Sequence, residues 1–295
     1  MKCLCCGKEL HTELELENAW HSSCLKKFFS TTQLPSIDLT NEALEELVTS
    51  NTAKGYTVPG VQIKLSLHLS TKENTSRLTL VNYPTGYILK PQTLEYSSLP
   101  EAEFLVMQMA RLVGIRTVPF ALMQMKSENT FAYITKRIDR KFTNHSVEKL
   151  AMEDFCQLEN RLTQDKYHSS YERCAKVIQR YSSYSGLDLV EFFLRIVFSF
   201  VVGNSDMHLK NFSLIETASR SCEYKLSEAY DLLPVNIILP EDQEELALTL
   251  NGKKRNLRKN DFLAFAETCG INKKAAVKMI ASITNKENDL ISLCR

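Results

Sequence analysis

The chain has 295 residues, is 44% apolar and 24% charged, and carries a formal net charge of +1. That is the size of one large two-part domain or two ordinary ones, with the composition of a globular protein. The near-zero charge excludes a global basic field for nucleic acid.

Nine cysteines at odd count and irregular spacing fit reduced thiols in a cytosol better than a secreted disulfide framework. Met1 is followed by Lys2 and Cys3 with no apolar run, so no signal peptide is expected. The most apolar run, Leu187 to Val202, is short for a bilayer and carries Asp188, Glu191 and Arg195. No membrane association is expected, and the compartment expected is the cytoplasm.

Residues 1–30 form a first element. Cys3-x-x-Cys6 and His21-x-x-Cys24 are closely spaced pairs, and zinc takes four tetrahedral Cys and His ligands supplied in such pairs. The expectation is a structural Zn2+ held by Cys3, Cys6, His21 and Cys24. Cys5 could replace a neighbour, His11 is a spare candidate, and small buried thiols could also stabilise a hairpin without metal.

A polar linker and helix, 31–54, follows. Residues 55–140 then read as short strands, in "GVQIKLSLHL", "RLTLVN", "GYILKP", "TVPFALMQM" and "TFAYITKRI". Their alternation and β-branched content predict a twisted antiparallel sheet. One helix interrupts it, from about Glu101 to Val113, with Pro100 at its opening. Residues 141–295 are helical in pattern, apart from extended pieces near 211–215 and 222–227.

A strand-rich part followed by a helix-rich part is an α+β layout. In "DLVEFFLRIVFSFVVG", Glu191, Arg195 and Ser199 make one polar stripe on an otherwise apolar helix that stops at Gly203.

The loop after that helix, "GNSDMHLKNFSLI", holds most of the chemistry. Asp206 and Asn211 have the spacing of a kinase catalytic loop, where an Asp accepts a hydroxyl proton and an Asn binds metal. "EAYDLLP" offers Asp231 as a second metal ligand. A kinase also needs a strand lysine paired with a helical glutamate, and Lys90 and Glu103 stand in that order. Each also has a plainer reading: Asn and Asp make turns, Lys90 ends a strand, and Glu103 is favourable near a helix N-terminus.

Taken together, "TVPGVQIKLSLHL", "GYILKP", "EAEFLVMQMARLVGIRTVP", "ITKRIDR", "MEDFCQL", "GNSDMHLKNFSLI" and "AYDLLP" resemble the HipA family of bacterial toxin serine/threonine kinases, in its short HipT-like form. The resemblance implies a two-lobed protein-kinase-like fold with a strand-rich N-lobe and a helical C-lobe, and ATP and Mg2+ as cofactors.

By motif it implies Asp206 as catalytic Asp and Asn211 and Asp231 on Mg2+. Lys90, with Glu103, would hold the ATP phosphates, and His208 and Lys210 would be loop-shaping or phosphate-facing. Gly60, Gln62 and Lys64 lie in the segment that covers the nucleotide. The family places a phosphorylated Ser there; this sequence has Thr57 instead, an expected autophosphorylation site.

Relatives act on aminoacyl-tRNA synthetases, so the implied substrate is such an enzyme or another translation factor. The implied partners are small antitoxins of HipB or HipS type, with no direct contact to nucleic acid. The alternatives are a small-molecule kinase and a non-catalytic interaction module on a kinase fold. The basic run at 253–259 reads as a solvated face, the Tyr-rich segment 165–186 as a packing helix with a Ser-rich end, and His68 and His145 as surface or core residues.

Overall fold

The computed structural model describes residues 1–37, 64–72, 75–79, 86–125, 130–142 and 147–294. Thr57, Gly60, Gln62, His145 and most of the 31–54 segment lie outside the described residues. The chain forms two compact units, Met1–Phe104 with Val118–Ile138, and Leu105–Thr117 with Asp139–Arg295.

The first unit is built on a sheet of β1 (Ser36–Ile37), β2 (Leu65–Lys72), β3 (Thr75–Thr79), β4 (Tyr87–Pro91), β5 (Phe120–Met125) and β6 (Thr130–Lys136), in the order β1-β3-β2-β4-β6-β5. β1 joins β3 in parallel and every other pairing is antiparallel.

Successive side chains of a strand face opposite sides, and this decides what each residue meets. Leu65, Leu67, Leu89, Ala121, Met123, Ala132 and Ile134 share one core with Trp20, Leu25, Phe28 and Phe29. One step along the strand, Lys90 falls on the other side, beside Tyr133 in register. There Phe104 meets Phe120 edge-on at 5.5 Å, and Phe120 stacks on Tyr133 at 6.0 Å.

The helix expected from Glu101 begins at Leu99 and ends at Leu112. Pro100 is therefore its second residue, still within the first turn, where a missing N–H costs nothing.

The N-terminal element is stitched to this sheet. Leu122 N–H donates to the Leu4 carbonyl at 2.8 Å. The Tyr87 hydroxyl donates to the Phe28 carbonyl at 3.2 Å.

The second unit has a hairpin of β7 (Arg140–Phe142) and β8 (Val147–Lys149), and a small antiparallel sheet ordered β11-β10-β9 from β9 (Met152–Asp154), β10 (Ser213–Glu216) and β11 (Tyr224–Leu226). β9 is three residues long, too short to carry a sequence period, and sequence reasoning passed over it.

At the centre lies the Ser185–Val201 helix, whose Phe192 ring meets Phe155, Tyr171, Phe212 and Phe265 at 4.9 to 6.3 Å. Its polar stripe is internal wiring. Arg195 donates to Glu191 Oε1 at 2.9 and 3.0 Å and to the Ser227 carbonyl at 2.7 Å. A buried cation is tolerated because it is paired in this way.

Gly203 follows the helix with φ +67, and a Cβ there would lie 3.3 Å from Asn236 Cβ. Only glycine meets both conditions without strain. Three members of the basic run make local pairs: Lys253 with Asp261 at 2.8 Å, Lys254 with Glu244 at 3.0 Å, and Arg255 with Gln243 at 3.3 Å. Among the described residues no helix is long and apolar enough to cross a membrane.

Candidate active site

The Gly203 turn launches the loop that carries Asp206, His208, Lys210 and Asn211. Its backbone is clamped by two tyrosines, Tyr171, which is fully buried, and Tyr230, which is half-buried. The Tyr171 hydroxyl donates to the Met207 carbonyl at 2.9 Å, and the Tyr230 hydroxyl to the Lys210 carbonyl at 3.1 Å. Burial, more than any neighbouring charge, pushes both phenols above their ordinary range, so both remain donors.

A short 3-10 turn, Leu209–Asn211, then feeds β10. Asn211 Oδ1 accepts the His208 backbone N–H at 2.9 Å, and Asn211 Nδ2 donates to Asp231 Oδ2 at 3.3 Å. Asp231 sits in the left-handed region at φ 61. A non-glycine residue held there stores strain, a feature that concentrates at functional sites.

Asp206 projects outward, with 47% of its side chain exposed. Its Oδ1 accepts the Tyr167 hydroxyl at 2.5 Å and lies 4.0 Å from His208 Nε2. Burial holds the His208 imidazole below its usual range, the Asp206 carboxylate opposing and the Lys166 ammonium adding to the effect. The ring is therefore neutral at pH 7. Lys210 turns its ammonium to Asp154 Oδ2 at 2.7 Å, while Asp154 Oδ1 caps the Phe155–Leu158 helix by accepting Gln157 N–H at 2.9 Å.

In the first unit, Lys90 Nζ meets Glu103 Oε1 at 2.6 Å, with both side chains buried. The ammonium also lies 5.2 Å from the Tyr133 ring centroid. Lys64 is exposed at the entry to β2.

The N-terminal element brings the expected metal ligands together. The ligand atoms of Cys3, Cys6, His21 and Cys24 all lie within 4.8 Å of one another. Cys6 Sγ is 3.3 Å and Cys24 Sγ 4.0 Å from His21 Nδ1. Bonds of about 2.3 Å to sulfur and about 2.0 Å to nitrogen, at tetrahedral angles, ask for separations of about 3.5–3.8 Å.

His21 Nε2 donates to the Glu9 carbonyl at 2.9 Å, which presents Nδ1 as the ligand atom. Burial opposes ionisation of Cys3, yet backbone N–H groups of Cys6, His21 and Cys5 outweigh it and hold that thiol below its ordinary range. Burial and the neighbouring thiols push Cys24 up. A cation among the four removes that conflict, so the residues fit zinc.

Sequence reasoning missed Asp154, Tyr167, Tyr171 and Tyr230. Asp154 stood in a motif quoted only for its resemblance. Tyr230 stood beside Asp231 in a motif quoted for the aspartate, and Tyr167 and Tyr171 lie in the segment read as packing, because nothing local marks a hydroxyl that bonds a residue 39 positions away.

The family described as the HipA-like C-terminal domain matches residues 56–290. The chain belongs to that family. Among its HipA-like relatives, a Haemophilus influenzae protein named "Putative kinase" is 26% identical over 268 residues, covering 82% of this chain and 76% of its own length. "Putative kinase Y4dM" of Sinorhizobium fredii is 30% identical over 236 residues, covering 75% of this chain and 56% of its own length.

The chain thus spans three-quarters of the first relative and little more than half of the second. The HipA of Shewanella oneidensis, solved with HipB and its operator DNA, superposes with a TM-score of 0.69 over 84% of this chain and 63% of its own, at 18% identity. That likeness is one of fold, and the two-part α+β architecture expected from the sequence is the HipA architecture.

Proposed function

We propose that the chain is an ATP- and Mg2+-dependent serine/threonine protein kinase of the HipA toxin type. The observation that carries this reading is the loop itself. Asp206 stands exposed on a clamped backbone, while Asn211 Nδ2 and Asp231 Oδ2 touch at 3.3 Å. An exposed carboxylate on a rigid loop suits proton acceptance from a substrate hydroxyl. The Asp231 carboxylate and the Asn211 amide oxygen, which here accepts the His208 N–H, would hold Mg2+, which when bound neutralises charge on the phosphate oxygens.

Lys90, oriented by Glu103, holds the ATP phosphates, joined by Gly60, Gln62 and Lys64 of the preceding segment. His208 and Lys210 shape the loop, the first through its backbone bond to Asn211 and the second through Asp154. Thr57 is the autophosphorylation site. Cys3, Cys6, His21 and Cys24 hold a structural Zn2+ with no open position for chemistry.

The substrate is a protein, of which an aminoacyl-tRNA synthetase or another translation factor is the class the resemblance suggests. Small antitoxins of the HipB or HipS type restrain the kinase in the cytoplasm. Family membership and the partner in the Shewanella complex support this last point.

The test is transfer of label from ATP to proteins of a whole-cell lysate, by the wild type and by Asp206→Ala. Label in protein bands with the wild type alone is the expected result. Full turnover by Asp206→Ala sinks the assignment. Label confined to small molecules moves the reading to a metabolite kinase, and no label at all to a non-catalytic module.

A further inference from the structure

Tyr167 stands in a segment bound to the Asp206 loop at successive points. Leu209 N–H donates to the Lys166 carbonyl at 3.2 Å, Tyr167 Oη donates to Asp206 Oδ1 at 2.5 Å, and Tyr171 Oη donates to the Met207 carbonyl at 2.9 Å. The Tyr167 ring meets His208 edge-on at 5.0 Å and carries the Lys166 ammonium 4.9 Å from its centroid.

Burial, then the Asp206 charge, pushes the phenol above its ordinary range, so it stays a donor. A 2.5 Å contact from a hydroxyl to a carboxylate is a strong charge-assisted bond. Among the described residues no hydrogen bond reaches Asp206 Oδ2. Tyr167 as a residue is 38% exposed, so it is not part of a sealed core.

We propose that Tyr167 is a positioning residue for phosphoryl transfer: its hydroxyl holds Asp206 by Oδ1 and leaves Oδ2 to take the proton of the acceptor hydroxyl. The inference rests on the reading of Asp206 as the proton acceptor. The terminal torsion of an aspartate is broad, and an exposed carboxylate with no partner samples many orientations. The Tyr167 bond removes that freedom before the substrate arrives, and the His208 edge contact fixes the ring that makes the bond. A proton acceptor misplaced by about 1 Å loses on the order of 100-fold in rate.

The test is steady-state label transfer from ATP to dephosphorylated lysate protein by the wild type, Tyr167→Phe, Asp206→Ala and the double variant. Tyr167→Phe keeps the ring against His208, so the thermal midpoint stays at the wild-type value. The expected result is a kcat lowered about 10- to 100-fold with KM for ATP unchanged. In the Asp206→Ala background the same substitution has no further effect.

A wild-type kcat in Tyr167→Phe overturns the proposal, as does a raised one, which marks the hydroxyl as an obstacle. A parallel loss of kcat, ATP affinity and thermal midpoint also overturns it, since it marks a structural role. Asp206→Ala equal to wild type instead removes the reading on which the proposal rests, and the proposal with it.

Discussion

Glu103→Gln is the sharpest test of the first unit. It leaves the shape of the side chain and removes its charge, with the Lys90 ammonium 2.6 Å away and both side chains buried. At that separation and an effective dielectric of about 20, the gross attraction is about 6 kcal/mol. Desolvation of two buried ions offsets most of it, so the intact pair is worth little against an apolar pair of equal size.

Removing one member alone is different, because the ammonium stays buried and loses the Glu103 charge. That costs about 3–5 kcal/mol. The Tyr133 ring retains a cation–π contribution of about 1 kcal/mol, which favours the lower end, near 3 kcal/mol.

The chain has one tryptophan, Trp20, fully buried in the core that the sheet shares with the N-terminal element. Its fluorescence in a urea titration, with zinc present, therefore reports this unit. Glu103→Gln should lose about 3 kcal/mol, and Lys90→Met with Glu103→Leu should recover most of it. A loss under about 1 kcal/mol for Glu103→Gln, or a double variant no better than the single, refutes the argument from the lost Glu103 charge.

Purified protein should contain one zinc per chain by metal analysis, and Cys24→Ser should lose it and lower the Trp20-monitored midpoint; well under one zinc per wild-type chain would remove the site. Asp261 accepts from Lys253 at 2.8 Å, Asn251 at 2.9 Å and the Arg258 N–H at 2.8 Å. These bonds, led by Lys253, pull its carboxyl from 3.8 to about 2.

A carboxylate depressed on folding stabilises the fold above its unfolded value and loses that effect as pH falls through the folded one. The shift corresponds to about 2.4 kcal/mol, reduced to about 1–2 because half of Lys253 is in water. Asp261→Asn should therefore cost about 1–2 kcal/mol in urea at neutral pH, and the gap to wild type should shrink as pH falls from about 5 towards 3. A gap independent of pH would show that the charge is not what the three donors stabilise.

Local order in the chain was enough to place the sheet, the long helix and the ligand pairs. Backbone geometry imposes a period of two on a strand, so the strand expected over "GYILKP" carries Leu89 and Lys90 on opposite faces, as the sheet shows. Cys3-x-x-Cys6 and His21-x-x-Cys24 each close within one turn, and Gly203 marks its helix end through a conformation that only glycine adopts freely.

The partners of the loop were not legible in this way. Lys210 chose Asp154, 56 residues away, and Asp206 received Tyr167, 39 residues away. Neither choice leaves a periodic trace in the sequence, because hydrogen bonds between distant side chains are decided by which segments the core brings together. The Tyr-rich stretch read as packing for the same reason. Tyr171 does pack against Phe192 and Phe265, but its hydroxyl, and that of Tyr167, met their partners only once the Ser185–Val201 helix had buried its aromatic face and set the loop beside them.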